Sequence, residues 1–310
     1  MLWHGRCCFQ RYRTMQPTGP KRRRVEIAVF AVGVAVIIAL TAGNAGAAWQ
    51  ELVIILGLQG PPVPASANVL SEHHLESLGQ MAPQAQAEFL LERSMNHYEG
   101  ANREIEKRLP SWRGKLEPSD RFENLFRMAI NSDDLRVRIA AIEINVITRH
   151  LEKNAESIDR LEPVARTGAQ GPRANALWDL GLLGGRGVEP ARVAQILLAS
   201  TRDENVNVRY WAVEGLAYLA TDEVVDPLLQ IFHDDPSAMI RERAACSLAQ
   251  SGMLTRDQRM KAVPKLLDFS NDFSLDEQTR GWVFQALRDI TGQNLPRDPS
   301  AWRSWYERQR

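Results

Sequence analysis

From residue 116 onward, apolar residues return every three or four positions, in blocks. Leu135, Ile139, Ile142 and Val146 fall on one helical face. Val208, Ala212, Leu216 and Leu219 do the same, as do Ile240, Ala244 and Leu248. Small residues stud these blocks (Ala140, Ala141, Ala212, Gly215, Ala244, Ala245) and would let a neighbouring helix approach closely. Before each block lies a shorter apolar helix, at 122–130, 158–165, 193–199, 224–232 and 260–269. No segment alternates with period two, so strands are not expected.

The blocks share an anchor, a hydrophobic residue followed by arginine. It stands at Val137-Arg138, Val208-Arg209 and Ile240-Arg241, with weaker forms at Pro172-Arg173 and Thr279-Arg280. Successive arginines are 35, 36, 32 and 39 residues apart. Acidic or Asn-rich turns precede the strong pairs: Ser132-Asp133-Asp134, Asp203-Glu204-Asn205 and Asp234-Asp235-Pro236. Two helices per unit cannot bury their apolar faces alone, but stacked units can, which makes a solenoid the expected fold.

The segment DPLLQIF…DDPSAMIRERAACSLAQSG, residues 226–252, carries the clearest likeness. It resembles the HEAT-repeat family in its short bacterial form, and the resemblance runs over about residues 116–290. On it, the family's first-helix proline falls on Pro227, its turn aspartate on Asp235 and its second-helix arginine on Arg241. Pro264 and Arg280 repeat that spacing within two residues. The resemblance implies that Asp133, Asp203 and Asp235 pair with the arginines within and between neighbouring turns. The unit from 158 to 185 departs from the pattern, because its turn, GAQGPR, lacks an acid.

The expected organisation is all-α, with about five helix pairs at 116–292. A helical cap at 83–115 precedes them and a capping helix at 293–310 follows. In that last helix Asp298 is an N-cap and Pro299 the first helical residue. Trp302, Trp305 and Tyr306 would close the final repeat.

The start of the chain is of another kind. Residues 1–24 are basic, and 27–40 is an unbroken apolar run within a segment, 25–48, that reads as a transmembrane anchor or a signal peptide. Ala45-Gly46-Ala47 is a cleavage-type site. Residues 49–82, with Gly60-Pro61-Pro62-Val63-Pro64, read as a linker. No Lys or Arg follows the run until Arg93, so either reading puts the body on the outer side of a membrane, in the periplasm if the cell is bacterial.

Formal net charge is zero, but the halves differ. Residues 1–48 hold seven Lys or Arg and one Glu, which leaves 31 basic and 37 acidic residues in the rest. An acidic body argues against nucleic acid as a partner, which needs a basic stripe. Cys246 is the one body cysteine and reads as a small buried apolar residue. His73-His74 reads as a solvated pair with no ligand set around it, so neither metal nor cofactor is expected.

The function expected is a scaffold that docks a protein or peptide. Enzymes of the bilin-lyase type are an alternative within the same superfamily, and a purely structural envelope protein is another. One column suggests where a partner docks. Two residues after each arginine stand Ala140, Asn175, Trp211, Arg243 and Trp282. Trp211, Arg243 and Trp282 would share an edge of successive helices, where Trp and Arg act as interface anchors. The competing reading tucks both indoles into the seams between repeats.

Overall fold

The computed structural model describes residues 68–309. The basic segment 1–24, the apolar segment 25–48 and most of the linker therefore lie outside the described residues. Among the described residues the chain forms fourteen α-helices, one 3-10 turn and no strand. No helix among them is long and apolar enough to cross a membrane.

α1 (Glu72–Gln80) falls inside the stretch expected to be linker. Its start is fixed by Ser71, which accepts from the His74 amide while His74 Nδ1 accepts from the Ser71 amide. The His74 ring sits against Phe89 and Tyr98, so this histidine packs rather than floats.

α2 (Pro83–Met95) and α3 (Ala101–Trp112) occupy the expected cap. They stack as a helix pair: α2 packs on α4 (Asp120–Ala129) and α3 on α5 (Leu135–Thr148). Four further pairs follow. They are α6 (Ala155–Thr167) with α7 (Gln170–Gly184), and α8 (Pro190–Ser200) with α9 (Val206–Leu219). Then come α10 (Val225–Asp234) with α11 (Ala238–Ala249), and α12 (Arg256–Ser270) with α13 (Glu277–Thr291). Second helices contact second helices along the whole series, and first helices contact first helices at α2–α4, α6–α8 and α10–α12. α14 (Pro299–Glu307) closes the end on α12, started by Asp298 and Pro299 as the sequence indicates. Its Trp302 is fully buried and donates to the Pro296 carbonyl at 2.9 Å.

Side-chain caps set where the helices begin. Ser119, Asp134, Asn154, Asn205, Thr255 and Asp276 each accept from an amide of the following turn. Pro227 is the third residue of α10, where no intrahelical amide bond is required. Pro264 lies inside α12, as Pro163 does inside α6.

Burial separates the two helices of each pair. First helices bury one stripe, such as Val225, Leu228, Leu229 and Phe232 of α10. Second helices are buried on every side through their C-terminal halves: Ile144–Thr148, Asp179–Gly184, Ala212–Leu219 and Ala244–Ala249 are unbroken buried runs. Successive residues project about 100° apart, so a run of four or more leaves no open side. The first helices are thus an outer row and the second helices an inner row.

The inner row is drawn tight. A Cβ on Gly181 would lie 2.5 Å from the Gly215 Cα, so α7 and α9 touch backbone to backbone. The stack also curls onto itself. Arg138 on α5 donates to the carbonyls of Gln250 and Gly252, 112 and 114 residues further on. Nearby, Arg259 is buried and donates to the carbonyls of Ser247, Leu248, Ser251 and Leu254, satisfying the C-terminal end of α11.

Candidate functional site

The turn joining an outer helix to its inner partner has a repeated construction. Asp203 and Asp235 stand six residues before Arg209 and Arg241, and each accepts from the amide two residues on, Asn205 and Ser237. The arginine then reaches back to its own turn and forward to the next. Arg209 donates to the Asp203 carbonyl at 3.0 Å and grips the Asp235 carboxylate with two nitrogens, at 2.9 and 3.1 Å. Arg241 donates to the Asp235 carbonyl at 2.8 Å, to Asp276 at 2.7 Å and to the Thr279 hydroxyl at 3.1 Å. Arg173 donates to the Ala165 carbonyl and pairs with Asp203.

These residues form one ladder along one edge of the stack. Burial is the largest influence on the Asp203 carboxyl and would raise its pKa. The Asn205 amide and Arg173 outweigh burial, and the pKa falls below the usual carboxylate range.

The first repeat breaks the register. Asp133 is exposed and stands five residues before Arg138, and Ser132 occupies the ladder position. Ser132 accepts the Asp134 amide as the aspartates do elsewhere, and its carbonyl accepts from Arg138. The next turn, lacking an acid, offers Arg138 no carboxylate, and this arginine turns instead to Gln250 and Gly252. At the other end Arg280 donates to the Asp272 carbonyl at 3.5 Å, with no sixth turn beyond it.

The column Ala140, Asn175, Trp211, Arg243, Trp282 does not present a uniform surface. Ala140 is buried, Asn175 exposed and Trp211 half-buried. Trp282 is only 7% exposed and belongs to the core. Arg243 faces Glu214 at 2.9 Å, with the two side chains 14% and 4% exposed, and also donates to Ser251. The anchors expected at Arg243 and Trp282 therefore lie within the packed inner row. Trp211 keeps an open side, and there it belongs to an aromatic group. Trp178 meets Trp211 edge to face at 5.9 Å and Tyr218 at 4.5 Å, and Tyr210 meets Trp211 at 5.5 Å.

Buried acids of the inner row carry no periodic signature. Asp179 is gripped by Arg149 through two bonds of 2.8 Å. Burial dominates its carboxyl and raises the pKa, against the opposing hydrogen bonds and charge of Arg149. Glu214 meets Arg243 one pair further on through a single ion-pair contact of 2.9 Å rather than a two-bond grip. Each acid interrupts an otherwise apolar run, ALWDLGLL and WAVEGLAYL, and that interruption is the signal that could have found them. Cys246 is buried in α11, while both ring nitrogens of His233 face aspartates, Asp234 and Asp272.

Exposed apolar side chains are sorted by position. From residue 116 to 292 the exposed large ones are Met128, Val164, Val206, Met239 and Phe273. There is one in each of the five repeats, and all lie at the ends of the helices that flank the ladder turns or in the turn itself. Met128 is 62% exposed and Phe273 87%. Val206 stands one turn from Tyr210 on α9, so this ridge runs into the aromatic group. One edge of the stack thus carries both the Arg–Asp ladder and an apolar row.

Among the described residues no group of His, Cys, Asp and Glu is placed to hold a metal ion. A search of curated proteins returned no match to this chain. The family model for HEAT repeats matches residues 158–249 and, in a second alignment, 193–288. The pair α4–α5 precedes the matched segment and stacks on it through α5 against α7. Over residues 158–288, then, the chain resembles the HEAT-repeat family.

Proposed function

We propose that the protein is a non-enzymatic interaction scaffold that docks a protein partner along the edge formed by its ladder turns. HEAT repeats generally mediate protein–protein interactions, and the sorting of exposed side chains carries this reading further. The inner row buries itself, while each repeat leaves one large apolar residue on the turn edge. Large exposed apolar groups in a row, next to half-buried Trp and Tyr, are the raw material of an interface core. The scaffold is tethered to a membrane by residues 25–48, or exported by them if cleavage follows Ala47. Its body faces the outer side, periplasmic in a bacterial cell, on the strength of the basic residues before the apolar run.

Two experiments test the two halves. A photo-crosslinking residue placed at Met239 or Phe273 in the full-length chain should capture one protein in stoichiometric yield, and the same probe at Glu152 or Arg256, on the opposite edge, should not. Equal capture at all four positions would remove the edge assignment. Alkaline phosphatase fused after Gly60 should be active, and an inactive fusion would put the body on the other side.

A further inference from the structure

At the last inner helix the ladder runs out of acids. The fourth residue of each inner helix from α5 to α13 is arginine: Arg138, Arg173, Arg209, Arg241 and Arg280. Arg173, Arg209 and Arg241 each hold a carboxylate of the next turn. Among the described residues Arg280 has the backward bond to its own turn and no carboxylate ahead of it.

Two more guanidinium groups gather on the same helix. The connection after α13 folds back along it and lays Arg297 over Gly281, with the Arg297 Nη1 3.5 Å from where a Cβ would stand. Arg288 lies two turns beyond Gly281 on the same face. Its long side chain leans toward the helix N-terminus, as side chains on helices do. It donates to Gln285 Oε1 and to the Leu295 carbonyl, each at 3.3 Å. Burial first, and then the positive charge of Arg297, lower the Arg288 pKa, and the charge of Asp289 offsets them in part.

Among the described residues none of Arg280, Arg288 and Arg297 is in an ion pair. One acid, Asp289, lies near enough to act on Arg288: it accepts from Gln285 at 2.8 Å with one oxygen, its other oxygen is buried without a hydrogen-bond partner, and burial raises its pKa, which makes it a weak counter-charge. The other acids are engaged or turned outward: Asp298 accepts the Ser300 amide, and Glu277 is exposed in the first turn of α13. Like charges held together within a body of acidic balance need a counter-charge, and every earlier turn but one supplies it as a carboxylate.

We propose that the inner-row end of the stack, Arg280 with Arg288 and Arg297 around Gly281, binds an acidic segment of the protein partner. A carboxylate of that segment takes the place that the acid of a further turn would occupy. Carboxylate is the favoured chemistry because it is the species that fills the equivalent position in the turns of Asp203, Asp235 and Asp276. The proposal rests on the scaffold reading and names the chemistry of its partner.

The test uses the full-length chain and a dye-labelled oligoglutamate peptide, with binding read by fluorescence anisotropy. Arg288→Ala and Arg297→Ala should each weaken binding about tenfold, and the double variant should abolish it, while Arg297→Lys retains part. The melting temperature of Arg297→Ala should not move, because this guanidinium makes no hydrogen bond within the fold among the described residues. A double variant that binds like the wild type would overturn the proposal and assign the peptide to the basic residues 1–24. So would a wild type that fails to bind, or inorganic phosphate that displaces the peptide at lower concentration than free glutamate does. Crosslinking at Phe273 separates the two readings. A partner still captured by Arg288→Ala/Arg297→Ala leaves the scaffold standing and sinks this site, whereas loss of capture at the edge in the wild type sinks both.

Discussion

α9 and α10 follow one another in the chain and meet solvent in opposite ways. α10 buries Val225, Leu228, Leu229 and Phe232 and leaves the rest of its circumference open. α9 buries every residue from Ala212 to Leu219, Glu214 among them. An outer helix has a face on which any soluble residue is tolerated. An inner helix has none, so each polar group it carries must find a partner in place, and its surface must be small enough to let neighbours in. Gly181 against Gly215 meets the second demand; Glu214 with Arg243, and Asp179 with Arg149, meet the first.

The largest effect is therefore expected from leaving one inner charge alone. Glu214→Ala strands Arg243 in a site that is mostly covered, and should destabilise the fold by about 3–5 kcal/mol. Replacing both partners, Glu214→Leu with Arg243→Met, should restore most of that loss, because the pair is offset by its own desolvation. Thermal unfolding of the two variants decides it. A single variant that melts like the wild type would mean that Arg243 swings out to solvent and that the inner row is open there.

Trp282 and Trp211 sharpen the same contrast at matched positions in two repeats. Trp282→Ala removes an indole from the core and should cost about 3–5 kcal/mol. Trp211→Ala removes one that keeps an open side, and should cost roughly half as much or less. Under the proposed function, only the Trp211 change should also weaken capture of the partner. Equal losses of stability would show that the face is closed alike in both repeats.

These cases explain what the sequence made legible. The pair boundaries were readable because outer helices bear one apolar stripe and sit between turns, and at the far end Asp298 with Pro299 could be placed on sight. The ladder arginines were readable because their cause recurs with the period. Inner-row exposure was not. α5, α7, α9 and α11 are apolar on nearly all sides, and periodicity alone cannot say which side a neighbour covers. Trp211 and Trp282 look alike in the alignment, and only the stacking that ends at α13 separates them. Asp133 was misplaced by one residue because two acids adjoin there, and counting back six positions from Arg138 gives Ser132. The packing of His74 and the helix α1 were missed because one short polar helix has no period to detect.

A smaller effect is expected along the ladder, and it should be graded. Arg209 and Asp235 are 11% and 6% exposed, and their two-pronged bond is sheltered. Arg209→Ala should cost about 2 kcal/mol, the range for hydrogen bonds to a charged group. Arg241 holds Asp276, whose side chain is 52% exposed, so water screens that pair. Its bonds to the Asp235 carbonyl and Thr279 hydroxyl remain, and Arg241→Ala should cost on the order of 1 kcal/mol. Denaturation midpoints ranked the other way would mean that the two rungs differ in something other than shelter.

The smallest effect belongs to a rung of the outer row that can lose its charge. His233 at the end of α10 meets Asp234 and, at 3.0 Å, Asp272 of the next turn, with the Phe269 ring at 4.8 Å. Burial, the largest influence, would lower its pKa, but the hydrogen bonds and charges of the two aspartates together raise it above the ordinary 6.5. Asp272 moves the other way: the Ser274 hydroxyl, His233 and the Ser274 amide hold its carboxyl well below the usual range. A raised histidine contributes stability that is complete below its unfolded value near 6.5 and is lost as pH climbs through the folded value. A lowered aspartate contributes stability above its unfolded value near 3.8, lost as pH falls through the folded one. The joint is thus strongest between those two unfolded values and weakens on the alkaline side. The melting temperature should fall slightly between about pH 6 and pH 8, by less than Arg241→Ala lowers it. His233→Gln, which keeps a donor but no charge, should flatten that slope while leaving the Arg209 rung unchanged. A slope that survives the substitution would belong to some other group, and this rung would then carry no load.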